Sequence, residues 1–378
     1  MIDKGIVWFY NYCMEKIFVG KIIKDLPPTI DNARNSEGSF IRLKSNRIVL
    51  AYSYFQGNSA KDDACSNIAI VYSDDEGLTF SNPQVVLTAK ECGADNIMSV
   101  SLLEMLDGSV GMFYIEKIKT ETENPTSKIC LRKTFDFTTF SDKVICTTTE
   151  TYNVLNNDRV IRLKNGDILF SVAETYFDKE GIKKSKAAFY LSKDDGETFS
   201  RTCELYIPFE EFKTGLQEPG VVELEDGRIF AWYRSNMGRI LKSYSTDGGN
   251  TFSTPTPSVL ISPLSPASIR GLSDGRKIIV YNPFDCAPFF GYDARSPLVI
   301  RMADANMNFI NDEALLKWLE DVSENCGYCY TAIFETKDAI LLAYCAGSKE
   351  EGGRLSRLRI RRVEKTELEE TFLRAYNN

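Results

Sequence analysis

The pattern Ser-x-Asp-x-Gly-x-Thr-Phe occurs three times, at Ser73–Phe80, Ser192–Phe199 and Ser245–Phe252, each time at the end of an apolar, β-branched run. That position makes each copy a turn between strands. Asp75, Asp194 and Asp247 can accept hydrogen bonds from turn amides, Gly77, Gly196 and Gly249 can take positive φ, and the Thr and Phe can peg the turn to the sheet. Asp, Gly and Ser fill most turns, so one copy would carry little. Three copies with an aromatic end point to one repeated structural unit.

A second element, a strand, a tight turn and another strand, can be read six times: Ser39–Ser53, Val100–Tyr114, Val160–Val172, Val221–Tyr233, Ser268–Tyr281 and Thr331–Tyr344. Four of the turns carry Asp107-Gly108, Asn165-Gly166, Asp226-Gly227 or Asp274-Gly275, which predict two-residue hairpins. Most copies are followed by a third strand and by a box or a decayed version of one, as at Phe135–Phe140 and Ala303–Phe309. Small antiparallel sheets repeated around an axis expose few edges. The expected fold is therefore all-β, a six-bladed β-propeller of four-stranded antiparallel blades. No linker interrupts the pattern, so a single domain over residues 1–378 is expected. Lys16–Ile23 is expected to close the last blade beside Arg354–Val363. Leu315, Leu316, Leu319 and Val322 have helical spacing, which predicts a helical insertion over Glu313–Ser323.

Composition narrows the chemistry. No window approaches the roughly 18 uncharged apolar residues of a spanning helix, so no membrane partner is expected. The apolar start, Ile6–Tyr12, reads as a strand. It is followed by Glu15 and Lys16 and lacks a small-residue cleavage site, which gives a cytoplasmic location as the expectation. A net charge of −8 without a long basic run argues against nucleic acid. The ten cysteines are expected to be reduced thiols. Cys326-x-x-Cys329 lies in strand context and lacks the second pair or the His that a metal site needs. The chain has no histidine at all, which removes the usual general base and the commonest metal ligand. Acid–base chemistry must then come from carboxylates, Tyr, Lys or Cys, and no cofactor or metal is expected. The Arg354–Arg362 cluster is expected to be the solvated face of an outer strand.

In a propeller the inner strand of each blade starts near the central channel, so the residues just ahead of the six hairpins converge. Aligning the hairpins puts Glu37, Ser99, Asn157, Glu218, Pro266 and Cys329 at one equivalent position, with Tyr330 one residue later. Two carboxylates, an amide and a phenol at the mouth of a β-channel suit a sugar site.

The three boxes resemble the Asp box, or BNR repeat, of the sialidase (neuraminidase) superfamily, and the six units resemble its propeller over nearly the whole chain. Glu218 stands ahead of Arg234 and of the box at Ser245, the order of the family's catalytic Glu and middle Arg. Cys329-Tyr330-Thr331-Ala332-Ile333 is similar to the segment with the family's nucleophilic Tyr. Arg295-Ser-Pro-Leu-Val-Ile opens a strand as the family's third Arg does, and Asp62 precedes Ser73 as the family's acid/base Asp precedes its box. The resemblance implies catalysis by Tyr330, Glu218 and Asp62, with Arg234 and Arg295 binding a substrate carboxylate. The chemistry is coherent. A carboxylate nucleophile would be repelled by a substrate carrying its own carboxylate at the anomeric carbon, so a neutral phenol attacks, helped by a base. Guanidinium groups bind both oxygens of a carboxylate and stay charged.

The family's first Arg has no counterpart in this chain. By the hairpin alignment Glu37 stands there, and either Arg34 or Arg159 is expected to substitute, with Arg42 falling further along the strand. Asn157 and Asp158, beside Arg159, are expected to join the substrate-binding set. The implied function is a retaining exo-glycosidase that hydrolyses a terminal acidic sugar, sialic acid or a relative, from a glycan or oligosaccharide. The alternatives are a carbohydrate-binding propeller without catalysis, a lyase or transglycosidase of the same superfamily with another specificity, or an interaction propeller whose channel is plugged by side chains.

Overall fold

The computed structural model describes residues 16–118, 126–207, 212–284, 295–308 and 316–369. They form six antiparallel sheets that follow one another around a ring. Blade 1 holds Asn32–Arg42, Ile48–Gln56, Ser66–Ser73 and Gln84–Leu87, and blade 2 holds Asn96–Glu104, Val110–Ile118, Thr126–Thr134 and Val144–Ile145. Blade 3 has a split inner strand, Asn153–Val154 and Ile161–Arg162, followed by Ile168–Phe177, Lys183–Ser192 and Ser200–Leu205. Blade 4 holds Gln217–Glu223, Ile229–Arg234, Arg239–Ser245 and Thr256–Ile261. Blade 5 holds Ser268–Gly271, Lys277–Tyr281, Leu298–Ala303 and Lys317–Glu320. Blade 6 holds Cys329–Glu335, Ala339–Ala346 and Arg357–Glu364, and its outer strand is Lys21–Leu26 from the other end of the chain.

The core lies between blades. Alternation sends successive side chains to opposite faces, so Val221 packs toward blade 3 while Val222 packs toward blade 5. Six apolar clusters result, one at each blade-to-blade junction. The three boxes cap these junctions with one bonding scheme. In the first, Gly77 N donates to Ser73 Oγ at 2.9 Å, while Thr79 N and Thr79 Oγ1 donate to Asp75 at 2.9 and 2.6 Å. The copies at Ser192 and Ser245 repeat those bonds. The terminal Phe then enters a core, as where Phe252 stacks on Phe189 at 3.9 Å. In the worn copies Asp136 and Asp304 keep the amide-accepting role, with Asn308 in place of the Thr. Phe309 and Ile6–Tyr12 lie outside the described residues.

Several expectations need correction. The Asp-Gly and Asn-Gly hairpins have three-residue loops: Gly108 N donates to Met105 O and Met105 N to Ser109 O, with positive φ at Gly108 but not at Asp107. A type I turn followed by a left-handed Gly produces this, and Asn46 takes the Gly position in blade 1. The closing strand begins at Lys21 rather than Lys16. The expected helix over Glu313–Ser323 is, where described, the outer strand Lys317–Glu320, with Trp318 and Leu319 buried on opposite faces. Blade 5 needs that fourth strand to cover Leu298–Ile300, and pairing outweighs the helical spacing. The Arg354–Arg362 cluster is not a solvated face. Arg357 and Arg359 pair with Asp25, while Arg359 and Arg361 share Glu320, so the cluster fastens the closing strand to blades 5 and 6.

A crosspiece from blade 3 spans the centre of the ring, and a cavity of about 310 Å³ lined by Asp158, Arg162, Glu223 and Arg270 remains beside it. Asn157 Nδ2 donates to Gly38 O at 2.7 Å and to Tyr330 O at 3.2 Å. Asp158 accepts from Ser39 Oγ, Arg270 Nη1 and Ile333 N at 2.8, 3.2 and 3.1 Å. Arg159 donates to Ala267 O at 2.6 Å, and its guanidinium lies 5.0 Å from the Trp232 ring. Three consecutive residues thus reach blades 1, 4, 5 and 6. Asp158→Ala, which strands three donors, should lower stability by about 2–4 kcal/mol in urea unfolding. A loss under about 0.5 kcal/mol would contradict the role of the crosspiece.

Candidate active site

Five non-glycine residues at or near the starts of inner strands have left-handed backbone: Glu37 (φ 51°), Ser99 (57°), Asp158 (58°), Glu218 (42°) and Tyr330 (56°). In blades 1, 2, 4 and 6 they sit at breaks in strand register, between Ser36 and Ser39, Met98 and Ser101, Gln217 and Gly220, and Cys329 and Ala332. A bulge of this kind re-aims a side chain out of the alternating pattern. A left-handed non-glycine residue costs about 1–3 kcal/mol, which the surrounding structure must offset. The equivalent positions are therefore Asp158 and Tyr330, one residue beyond the Asn157 and Cys329 given by hairpin alignment.

Four of the expected residues, Arg34, Asp62, Arg295 and Tyr330, line one cavity of about 580 Å³, which the loops 58–62 and 352–356 border. Tyr330 Oη donates to Glu218 Oε1 at 2.9 Å, and Arg234 Nη1 donates to the same oxygen at 2.8 Å. The Arg295 guanidinium lies 5.5 Å from the Tyr330 ring, and its Nη1 is 3.2 Å from Cys329 Sγ. Arg34 bridges two carboxylates, with Nη1 2.5 Å from Asp62 Oδ1 and Nη2 3.0 Å from Glu37 Oε1. Glu37 in turn accepts from Ser99 Oγ. Glu37 is thus neutralised by the neighbouring Arg34, and Arg34 is the cation on the cavity wall nearest the vacant family position. Glu218, Arg234 and Glu37 form the layer behind the wall.

Asn157, Asp158 and Arg159, expected to bind substrate, instead belong to the channel crosspiece, where partners on other blades hold them. Burial pushes the Arg159 guanidinium down to about 10, and its bond to Ala267 O turns it toward blade 5, while Arg34 is the one of the two that lines the cavity. Asn157 still matters to the site, because its bond to Tyr330 O steadies the strained backbone of that residue. Arg354, which its sequence places with the strand cluster, lines the cavity and donates to Glu324 O at 2.7 Å. Its only sequence signal is the Gly352-Gly353 pair that folds the loop back. Cys326 and Cys329 are free thiols, and among the described residues no group of three Cys, Asp or Glu side chains is arranged to hold a metal.

Charge tuning follows from this packing. Burial, reinforced by the Glu218 carboxylate, holds the Tyr330 phenol well above its ordinary value. Burial also pushes Glu218 upward, but Arg234 and Arg295 outweigh it and leave the carboxyl below its usual range. The resting site therefore pairs a neutral phenol with an ionised carboxylate. Proton transfer from the phenol to the carboxylate is uphill in this resting arrangement. Asp62 is lifted by partial desolvation and lowered further by Arg34, with a net downward shift.

Residues 49–342 match the family described as BNR repeat-like domain. No curated protein matches the chain significantly. Similar solved structures include a protein of unknown function from Dyadobacter fermentans, at 18% identity and a TM-score of 0.70 over 91% of this chain and 99% of that one. The leech intramolecular trans-sialidase complexed with 2,7-anhydro-Neu5Ac matches at 14% identity and 0.68 over 97% and 73%. A mutant of the NanB sialidase from Streptococcus pneumoniae matches at 14% and 0.67 over 97% and 73%. At these identities the likeness is one of fold.

Because Glu218 is held low, its pairing contributes stability that is present above the ordinary glutamate range and is lost as pH falls through the depressed value. Arg234→Met should move the Glu218 carboxyl upward, since only Arg295 and the Tyr330 hydrogen bond then oppose burial. Carboxyl-carbon NMR titration reads this directly, and an unmoved midpoint would contradict the pairing.

Proposed function

The chain belongs to the BNR repeat-like family and is a sialidase-like propeller, and on that basis we propose that it is a retaining exo-glycosidase acting on a terminal acidic sugar. The observation that carries this reading is the 2.9 Å bond from Tyr330 Oη to Glu218 Oε1 at the wall of a cavity that also presents Arg34, Arg295 and Arg354. The cations would hold the carboxylate of the donor sugar. Tyr330 would attack the anomeric carbon as its proton passes to Glu218. Asp62 would protonate the departing oxygen and then deprotonate the water that resolves the glycosyl-tyrosine, so configuration is retained. Sialic acid and related acidic sugars on a glycan are the substrate class that this arrangement favours.

A second reading, glycan binding without turnover, draws on one observation. Arg34 holds Asp62 in its ionised form, which cannot donate a proton.

A panel of fluorogenic glycosides separates the two: a sialoside, its deaminated analogue, a uronide and neutral hexosides. Release from an acidic member is expected, with no release by Tyr330→Phe and a loss of about 10²–10⁴-fold in Glu218→Gln. Binding without release from any member would favour the second reading. Release that survives Tyr330→Phe would exclude the Tyr mechanism.

A further inference from the structure

Both terminal nitrogens of Arg34 are occupied in the resting site. Nη1 donates to Asp62 Oδ1, while Nη2 donates to Glu37 Oε1 and, at 2.9 Å, to Ser36 Oγ. A donor sugar that places a carboxylate on Arg34 in bidentate fashion must displace a protein partner. The two candidates differ sharply. The Glu37 side chain is 6% exposed, sits on the strained inner-strand bulge and is also held by Ser99. The Asp62 side chain is 72% exposed on the loop between the second and third strands of blade 1, at the open side of the cavity. Asp62 is the partner that can leave. Its backbone can stay, because Lys117 Nζ donates to Asp62 O at 2.8 Å.

We propose that Arg34 exchanges Asp62 for the carboxylate of an acidic donor sugar, so that donor binding and protonation of Asp62 are one coupled event that neutral sugars do not trigger. This rests on the glycosidase reading above.

The charges around Asp62 set the sign. On the cavity side stand Arg34, Lys61, Arg295 and Arg354, with Glu37 behind Arg34, and on the other side Lys117, Lys183, Asp63 and Asp95 border a second, smaller hollow that Asp62 shares. Arg34 is the cation in direct contact, and its loss removes the main force that keeps Asp62 ionised. The incoming carboxylate adds a like charge on the same guanidinium. Both changes favour the protonated acid. The proton comes from solvent. It then passes to the glycosidic oxygen as the bond from that oxygen to the anomeric carbon breaks, while the Tyr330 oxygen bonds to that carbon and the phenolic proton goes to Glu218. A neutral glycoside leaves Arg34 on Asp62 and meets an acid that has no proton to give. Selection for acidic donors then shows in turnover as well as in binding.

The test is calorimetric binding of the methyl α-glycoside of sialic acid to Tyr330→Phe, which keeps the glycoside intact, in pairs of buffers of different ionisation enthalpy from neutral pH down to about pH 5. The proposal expects proton uptake on binding that grows as pH falls toward the carboxylate range, and an affinity that weakens as pH rises. Tyr330→Phe combined with Asp62→Asn should bind at least as tightly with no proton uptake. Binding to Tyr330→Phe without uptake would overturn the exchange and leave the glycosidase reading standing. Equal uptake in the double variant would overturn the assignment to Asp62. Failure of the sialoside to bind either variant would remove both the exchange and the acidic-sugar reading beneath it.

Discussion

Three consecutive side chains, those of Asn157, Asp158 and Arg159, set the spacing at the centre of the ring. A propeller of six small sheets has little to hold its inner strands at a fixed distance, because each sheet is bonded within itself and touches its neighbours mainly through apolar side chains. Here an amide, a carboxylate and a guanidinium from blade 3 bond to inner-strand backbone and side chains across the axis. Each of the three side chains finds partners, although Asn157 Oδ1 and Arg159 Nε are buried without one, and the bonds that are made specify one arrangement. The site inherits that precision. Tyr330 takes a left-handed backbone one residue into its strand, and the Asn157 bond to its carbonyl is part of what offsets the strain.

The site above the crosspiece is dense in charge. Glu218 is paired with Arg234, and Glu37 with Arg34, so each buried carboxylate has the partner without which burial would be prohibitive. Geometry then divides the work. Tyr330 stays neutral and Glu218 stays ionised, while Asp62, on an exposed loop, is the member whose ion pair can be remade. A chain without histidine thus still has an ionised carboxylate at depth and a second carboxylate at the surface of the same cavity.

Much of the fold was legible because its signals are local. Asp75, Asp194 and Asp247 organise their own turns, and alternating runs such as Ile229–Arg234 fix which face is buried, so six blades can be read without long-range information. That Glu218 and Tyr330 meet was legible through family resemblance and their order in the chain. What was hidden depended on distant partners. The left-handed residues Asp158 and Tyr330 are not glycines and have no Gly beside them to announce the turn, so hairpin alignment slips by one residue there. Asn157 and Arg159 occupy a repeat position that faces the axis, and nothing local separates a residue that crosses the channel from one that lines a cavity. Lys317–Glu320 has helical spacing nearby but pairs as a strand because blade 5 has an open edge there. Arg354 follows two glycines whose fold depends on the loop they close.

The most direct test of the central claim is to incubate the protein with a fluorinated acidic sugar bearing a good leaving group, which slows hydrolysis of a glycosyl-enzyme, and to locate the adduct by peptide mass spectrometry. The account predicts one adduct, on the oxygen of Tyr330, that is lost in Tyr330→Phe. An adduct on Glu218 or any other residue, or turnover with no covalent species on Tyr330, would contradict it.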